Sequence, residues 1–242
     1  MPLERPSVPS LRPLIPCEFS LTSVNMPAAT SEQPNMPTTD LNADFPAPKC
    51  NAFAHWLGKT IIRVTGWQVA GQVPQSKSMI IIAAPHTSNW DLFFLLGAAY
   101  SFRLSIQWLM KASVFVPVAG GILRYLGGIP VDRSRRNNLV EDMAKMIEAS
   151  DGRALVIPPS GTRGYTDHWK SGFYRIALEA NIPIVCGYLD YSRKEAGLGL
   201  SFHLTGKMTE DMDRIREFYE PMVGRFPDKK SQIRLREEDA TS

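Results

Sequence analysis

From residue 52 onward, apolar positions alternate between short unbroken runs and helical stripes; before that point they follow no period. Residues 79–84 form a continuous apolar run closed by Pro85, which reads as a buried strand. A helix over 90–101 follows, with Ser88 or Asn89 placed to cap it. The pattern then predicts a strand at 105–110, a short helix over 119–125 and a brief strand at 129–131. Asn138 and Glu141 stand in a capping-box relation and open a helix with Leu139, Met143, Met146 and Ile147 on one face. Further on come a strand at 153–157, a helix over 172–180 with Phe173, Ile176, Ala177 and Ala180 facing inward, and a strand at 184–189. Weak alternation over 201–205 predicts another strand, and Thr209 is positioned to cap a last helix carrying Ile215, Phe218, Tyr219 and Met222. Strands and helices that alternate in this way predict one α/β domain with a largely parallel or mixed sheet flanked by helices.

Residues 52–64 place Phe53, Trp56, Leu57, Thr60, Ile61 and Val64 at helical spacing, with His55, Lys59 and Arg63 as a basic stripe beside them. Two readings stay open from this pattern alone: a helix lying among anionic headgroups, or a first helix docked on the core. No run approaches the roughly 18 apolar residues needed to span a bilayer. Residues 1–50 hold ten of the 19 prolines and no glycine, which predicts a mostly disordered Pro-rich tail without the continuous apolar stretch of a secretory signal. The expected division is a tail at 1–50, a domain at 51–228 and a charged C-terminal tail at 229–242.

The formal charge of +3 conceals an asymmetry: the tail holds three basic and five acidic residues, leaving 24 basic against 19 acidic in the remainder. That excess suits anionic headgroups, and no nucleic-acid motif accompanies it. Cys17, Cys50 and Cys186 leave one thiol over in any pairing, a reducing-compartment pattern, and none has metal-ligand spacing, so no metal and no cofactor is expected.

Candidate chemistry begins at His86-Thr-Ser-Asn-Trp-Asp91, between the strand at 79–84 and the helix at 90–101. A carboxylate in the first helical turn fixes the tautomer of an imidazole on the strand-end loop, leaving the other ring nitrogen to take a proton from a hydroxyl. Gly127-Gly-Ile-Pro-Val-Asp-Arg133 and Pro158-Pro-Ser-Gly-Thr-Arg-Gly164 each end an apolar segment in a Gly-containing turn with an arginine, and two guanidinium forks suit a phosphate. Trp108, Met110 and Phe115 read either as the wall of an acyl-chain groove or as plain core. Lys111 beside them is a candidate phosphate contact. His168 reads as a surface turn residue, His203 as a structural strand residue, and Arg135 and Arg136 as a solvated basic rim.

These motifs resemble, in order, those of the glycerolipid acyltransferases, the 1-acylglycerol-3-phosphate acyltransferase family, over roughly residues 52–225. His86 and Asp91 match its H-x4-D block; Gly128-Ile-Pro-Val-Asp-Arg133 is similar to its second block, Ser160-Gly-Thr-Arg163 to its third, and Ile182-Pro-Ile-Val185 to its fourth. The resemblance implies transfer of an acyl group from acyl-CoA or acyl-carrier protein to a lyso-lipid hydroxyl, with lysophosphatidate the favoured acceptor. It also implies His86 as base, Asp91 as its orienter, and Arg133, Ser160, Gly161, Thr162, Arg163 and Lys111 as substrate-binding residues, with the Gly161 turn offering backbone N–H groups to an oxyanion. A cytoplasmic location with peripheral contact at the inner face of an anionic membrane is the corresponding expectation, and it favours the interfacial reading of residues 52–64.

Ser160 stands where that family usually has Glu, and Cys186-Gly187 where a second proline is common. The first departure loosens the acceptor: a lyso-ornithine lipid or another lysophospholipid is the rival. A lipase-like hydrolase lacks its signature, because Pro159-Ser-Gly161 is not a G-x-S-x-G elbow. A non-catalytic lipid-binding protein would have no use for His86 paired with Asp91.

Overall fold

A computed structural model describes residues 50–131 and 139–240. Expectations for residues 1–49 with Cys17, for 132–138 with Arg133, Arg135, Arg136 and the Asn138 cap, and for 241–242 lie outside the described residues.

Helix α1 (Ala52–Val64) leads to strand β1 (Gln68–Gly71), β2 (Met79–Ala83), α2 (Trp90–Ser101) and β3 (Ile106–Lys111). Then follow α3 (Pro117–Leu126), β4 (Gly128–Val131), α4 (Leu139–Glu148), β5 (Ala154–Ile157), α5 (Gly172–Glu179), β6 (Ile184–Asp190), β7 (Glu195–Phe202) and α6 (Met208–Tyr219). The seven strands form one sheet in the order β1-β7-β6-β2-β5-β3-β4. Only β6 and β7 run antiparallel. The expected α/β architecture is therefore present, with β2 at the centre between β5 and β6.

A central parallel strand is covered on both faces, which is why β2 is apolar at every position. Ile80 and Ile82 point into a core built with α4, α5 and α6, through Met143, Phe173, Ile176, Ile215 and Tyr219. Met79 and Ile81 point the other way, toward Ala99 of α2, Trp108 and Val156. Helix α2 is apolar on all sides because α1 covers the side turned away from the sheet. Their approach is closest at Gly58, where an added Cβ would stand 2.6 Å from Tyr100 Cβ.

That docking divides the apolar stripe expected on α1. Gly58 and Ile62 are buried, whereas Phe53, Trp56 and Val64 are 66%, 59% and 76% exposed. The stripe that docks is the one containing the glycine, so the helix packs on the core and still presents its aromatics outward.

Two local expectations are corrected. The last strand occupies Glu195–Phe202 rather than 201–205, because it pairs with β1 from Glu195 and β6 begins opposite Phe202. His203 consequently lies beyond the strand and is exposed. Thr209 does not cap α6 but lies inside it; the Asp211 carboxylate turns back to accept from Thr205 N at 2.9 Å, Thr205 Oγ1 at 3.0 Å and Tyr174 Oη at 2.8 Å. Of the two residues expected to cap α2, Ser88 supplies the bond, its Oγ accepting from Trp90 N at 3.2 Å, and Asn89 makes no side-chain cap.

The charged C-terminal segment packs on the domain as far as it is described. Leu235 is fully buried, Trp169 N donates to Arg234 O at 2.7 Å, and Glu238 pairs with Arg216 at 2.8 Å. Among the described residues no helix is long and apolar enough to cross a membrane.

Candidate active site

The parallel strands β2, β3 and β5 end on the same side of the sheet, so the loops that follow them converge there. Loop 84–89 after β2 carries His86, and the first turn of α2 carries Asp91. His86 Nδ1 stands 3.0 Å from Asp91 Oδ2. A carboxylate only accepts, so Nδ1 carries the hydrogen and Nε2 of the neutral ring keeps its lone pair.

The same carboxylate ties the preceding loop to the first turn of α2. Oδ2 also accepts from Thr87 N and Ser88 N, each at 2.9 Å, while Oδ1 accepts from Tyr191 Oη at 2.7 Å. Burial pushes the Asp91 carboxyl up, but hydrogen bonds from His86, Ser88 N and Tyr191 outweigh it and hold the group below the usual carboxylate range. Tyr191 is pushed up by burial and by its bond to this anion. The aspartate side chain is 7% exposed and the histidine 25% exposed, so the pair is anchored inside and reachable at its outer nitrogen.

Both residues border a cavity of about 620 Å³ between α2 and the sheet. Its wall is mostly apolar and runs from Leu92, near the start of α2, past Ala98 and Ala99 to Phe102 and Leu104 beyond its end. Along a helix of 12 residues that is about 18 Å. Protein interiors leave few voids larger than a water molecule, so an apolar space of this size is a candidate ligand site.

The structure brings most of the expected site residues to this cavity. Gly161, Thr162 and Arg163 line it from the turn after β5, and Lys111 from the end of β3. Arg163 Nη1 donates to Asn89 Oδ1, tying the third block to the start of α2. Trp108 and Met110 belong to the wall, but Phe115 does not: it lies under the Arg124 guanidinium, 5.3 Å from the ring centroid.

Ser160 does not line the cavity. The residue is 6% exposed, and its hydroxyl donates to Thr162 O at 2.7 Å and serves the turn. The Gly161 N–H is likewise engaged, donating to Pro158 O at 3.0 Å, so it does not point a free donor at an oxyanion. Gly161 adopts φ +64°, the left-handed conformation that the tight turn requires. His168, read as a surface residue, meets Asp239 at 2.9 Å. Among the described residues no His, Cys, Asp and Glu side chains gather as a metal-ligand set, and Cys50 and Cys186 are free thiols.

Two residues at the site had no sequence signal. Tyr191, 100 positions from Asp91, fixes its second oxygen. Arg225, in the segment after α6, stands 5.8 Å from the Trp90 ring and close enough to Tyr191 to oppose the rise of its hydroxyl. Neither contact follows any local period, because each arises where separate loops meet.

Comparison with known proteins extends this picture. A 1-acyl-sn-glycerol-3-phosphate acyltransferase of Saccharomyces cerevisiae is 30% identical over 125 residues, 49% of this chain and 41% of that protein. One of Pseudomonas aeruginosa is 28% identical over 138 residues, 55% of this chain and 52% of that protein. The chain thus spans about half the length of the curated relatives it matches. The crystal structure of the 1-acyl-sn-glycerophosphate (LPA) acyltransferase PlsC from Thermotoga maritima aligns with a TM-score of 0.49 at 16% identity, covering 72% of this chain and 80% of that one. The model of the Acyltransferase family matches residues 62–189, more than half of the chain, from the last turn of α1 into β6. On that match, the chain belongs to the acyltransferase family.

Proposed function

We propose that the protein transfers a fatty acyl group from acyl-CoA or acyl-carrier protein to the free hydroxyl of a lyso-lipid, with lysophosphatidate the favoured acceptor. The observation that carries this reading is the His86–Asp91 pair at 3.0 Å, set at the edge of an apolar cavity of about 620 Å³. A proton acceptor beside a space shaped for a hydrocarbon chain fits an acyl ester or thioester better than a small polar substrate.

In this mechanism Nε2 of His86 takes the hydroxyl proton while the oxygen attacks the thioester carbonyl. The tetrahedral oxyanion collapses, the carbon–sulfur bond breaks, and the thiolate leaves with the proton returned by the imidazolium. Asp91 stabilises that imidazolium and holds the tautomer throughout. Arg163, together with Arg133, clamps the acceptor phosphate, and Lys111 meets phosphate at the other side of the cavity. No covalent acyl-enzyme forms and no cofactor enters the cycle. Hydrolysis through Ser160 is disfavoured because its hydroxyl donates to Thr162 O and the residue does not line the cavity. The enzyme works at the inner face of an anionic membrane from the cytoplasm, with Phe53 and Trp56 of α1 in contact with lipid.

Mass-spectrometric profiling of purified protein with both thioester donors and a panel of lyso-lipids tests this. Acylated lysophosphatidate as the main product is expected. Release of free fatty acid alone, or acylation of no lyso-lipid, overturns the proposal.

A further inference from the structure

Residues 158–171, from the end of β5 to the start of α5, contain no helix or strand, yet Gly161, Thr162 and Arg163 among them line the cavity. A connection of this length is not fixed by its ends, so its conformation depends on what it packs against. Here that partner is the segment 230–239, which lies outside the stretch 62–189 matched by the family model.

The contacts run along the second half of the loop. Ser231 Oγ accepts from Thr166 N at 3.1 Å. The Thr166 hydroxyl gives its one hydrogen to His168 O at 3.0 Å, so Ser231 donates its own to Thr166 Oγ1 at 3.1 Å. Gln232 N donates to Thr166 O at 3.1 Å, His168 Nε2 lies 2.9 Å from Asp239 Oδ2, and Ser171 Oγ donates to Glu237 Oε1 at 2.5 Å. Trp169 and Lys170 carry the connection inward. Trp169 N donates to Arg234 O at 2.7 Å, in a parallel bridge with Leu235, whereas Lys170 N donates to Pro159 O at 2.8 Å. Consecutive N–H groups of an extended chain point to opposite sides, so these two residues stitch the C-terminal segment to the turn after β5. The Lys170 side chain then lies across Gly161, where an added Cβ would stand 2.7 Å from its Nζ.

The segment is itself anchored at both ends. Lys230 Nζ donates to Tyr219 O, Glu220 O and Met222 O at 3.0, 2.8 and 2.9 Å, using all three of its hydrogens at the end of α6. Leu235 is fully buried, and Glu238 pairs with Arg216. Lys230 and Ser231 also border a hollow of about 10 Å³ together with Pro85, His86 and Ser160, so the segment adjoins the His86 loop and the turn after β5 at once.

We propose that the segment 230–239, acting through Ser231, is a positioning element for acceptor binding: it holds the Gly161–Arg163 turn in the conformation that presents Arg163 to the acceptor's phosphate. This rests on the lyso-lipid acyl-transfer reading and deepens it. Arg163 is exposed, so the direction of its guanidinium is set by the backbone of the turn rather than by packing around the side chain.

Truncation would open the core at Leu235, so point variants of the full chain make the test. In Ser231→Ala, calorimetric binding of a short-chain lysophosphatidate without donor should weaken about fivefold, while donor affinity and kcat stay within about twofold. Amide exchange over residues 162–167 should quicken with α5 unchanged. Ser231→Thr keeps the hydroxyl and should restore both. Thr205→Val removes a 3.0 Å bond to Asp211 at the start of α6, far along the chain from the turn, and should lower the melting temperature with acceptor affinity as in the wild type. Unchanged acceptor affinity or unchanged exchange in Ser231→Ala overturns the proposal, as does a parallel loss of donor and acceptor affinity, an equal loss in Thr205→Val, or absence of acceptor binding by the wild type. A wild type that binds the acceptor in a Ser231-dependent way but acylates no lyso-lipid would keep the positioning role and remove the proposed activity.

Discussion

Strand β2 serves two layers that have been filled to different degrees. On one side, Ile80 and Ile82 meet the aromatic and branched side chains of α5 and α6, with Phe173 and Tyr219 fully buried. On the other, Ile81 faces Ala98 and Ala99 of α2 across the cavity, and Gly187 and Gly197 extend the same wall. The strand is equally apolar on both sides, so its own pattern does not say which layer is core and which is site. Side-chain size on the covering helix decides: large residues close one layer, and alanine leaves room in the other.

The comparison predicts that damage to the two layers takes different forms. Phe173→Ala, in the filled layer, should destabilise the fold by about 3–5 kcal/mol, roughly two to nearly four powers of ten in the folding equilibrium, while the acyl chain-length profile of the surviving enzyme stays the same. Urea denaturation and donor profiling check the two halves of this. At the cavity edge the reverse holds: His86→Ala should lower turnover by at least about 10²-fold with an unaltered melting temperature. Near-native turnover in that variant would remove His86 as the base.

Filling the open layer gives a subtler split. Ala99→Leu should leave stability within about 1.5 kcal/mol but disfavour the longest donor by about 10-fold or more relative to a shorter one. An equal loss on every chain length would mean that the acyl group lies elsewhere. The smallest effect concerns Tyr191→Phe, expected to reduce turnover by less than about 10-fold. Because the Asp91 carboxyl is held below its ordinary value, its contribution to stability is fully present above the unfolded carboxylate pKa, about 3.9, and is lost as pH falls through the lower folded value. Removing the Tyr191 bond raises that folded value, so acid unfolding of Tyr191→Phe should begin at higher pH. Melting curves recorded between neutral and acid pH would show the shift or its absence.

Much of this arrangement was legible in the chain because its causes are local. The unbroken run of β2, the apolar helix α2 and the six-residue interval from His86 to Asp91 declare themselves through period and spacing. Strand β1 was not foreseen, since Gln68-Val-Ala-Gly71 has no apolar run and is held at the sheet edge by backbone pairing with β7. Strand β7 starts before its alternation shows because Gly197 and Gly199 interrupt that alternation; an added Cβ at Gly197 would stand 2.5 Å from Ala70 O, so close strand approach explains the residue that hides the pattern. Ser160 and Gly161, in the turn after β5, spend their hydroxyl and N–H within that turn. Tyr191 and Arg225 reach the site only through tertiary meeting of loops.

Asp91 finally imposes an unusual constraint on how this protein can vary. Its Oδ2 accepts two backbone N–H groups of the loop that leads into α2 as well as the imidazole of His86. A substitution there is penalised twice over, once in the assembly of a helix that forms a cavity wall and once in the poise of a proton acceptor. Neither loss can be repaired by a change that mends only the other. Genetic drift can therefore explore the surface of α2 far more freely than its first turn, and suppressor searches starting from a lesion at this position should return reversion in preference to second-site rescue.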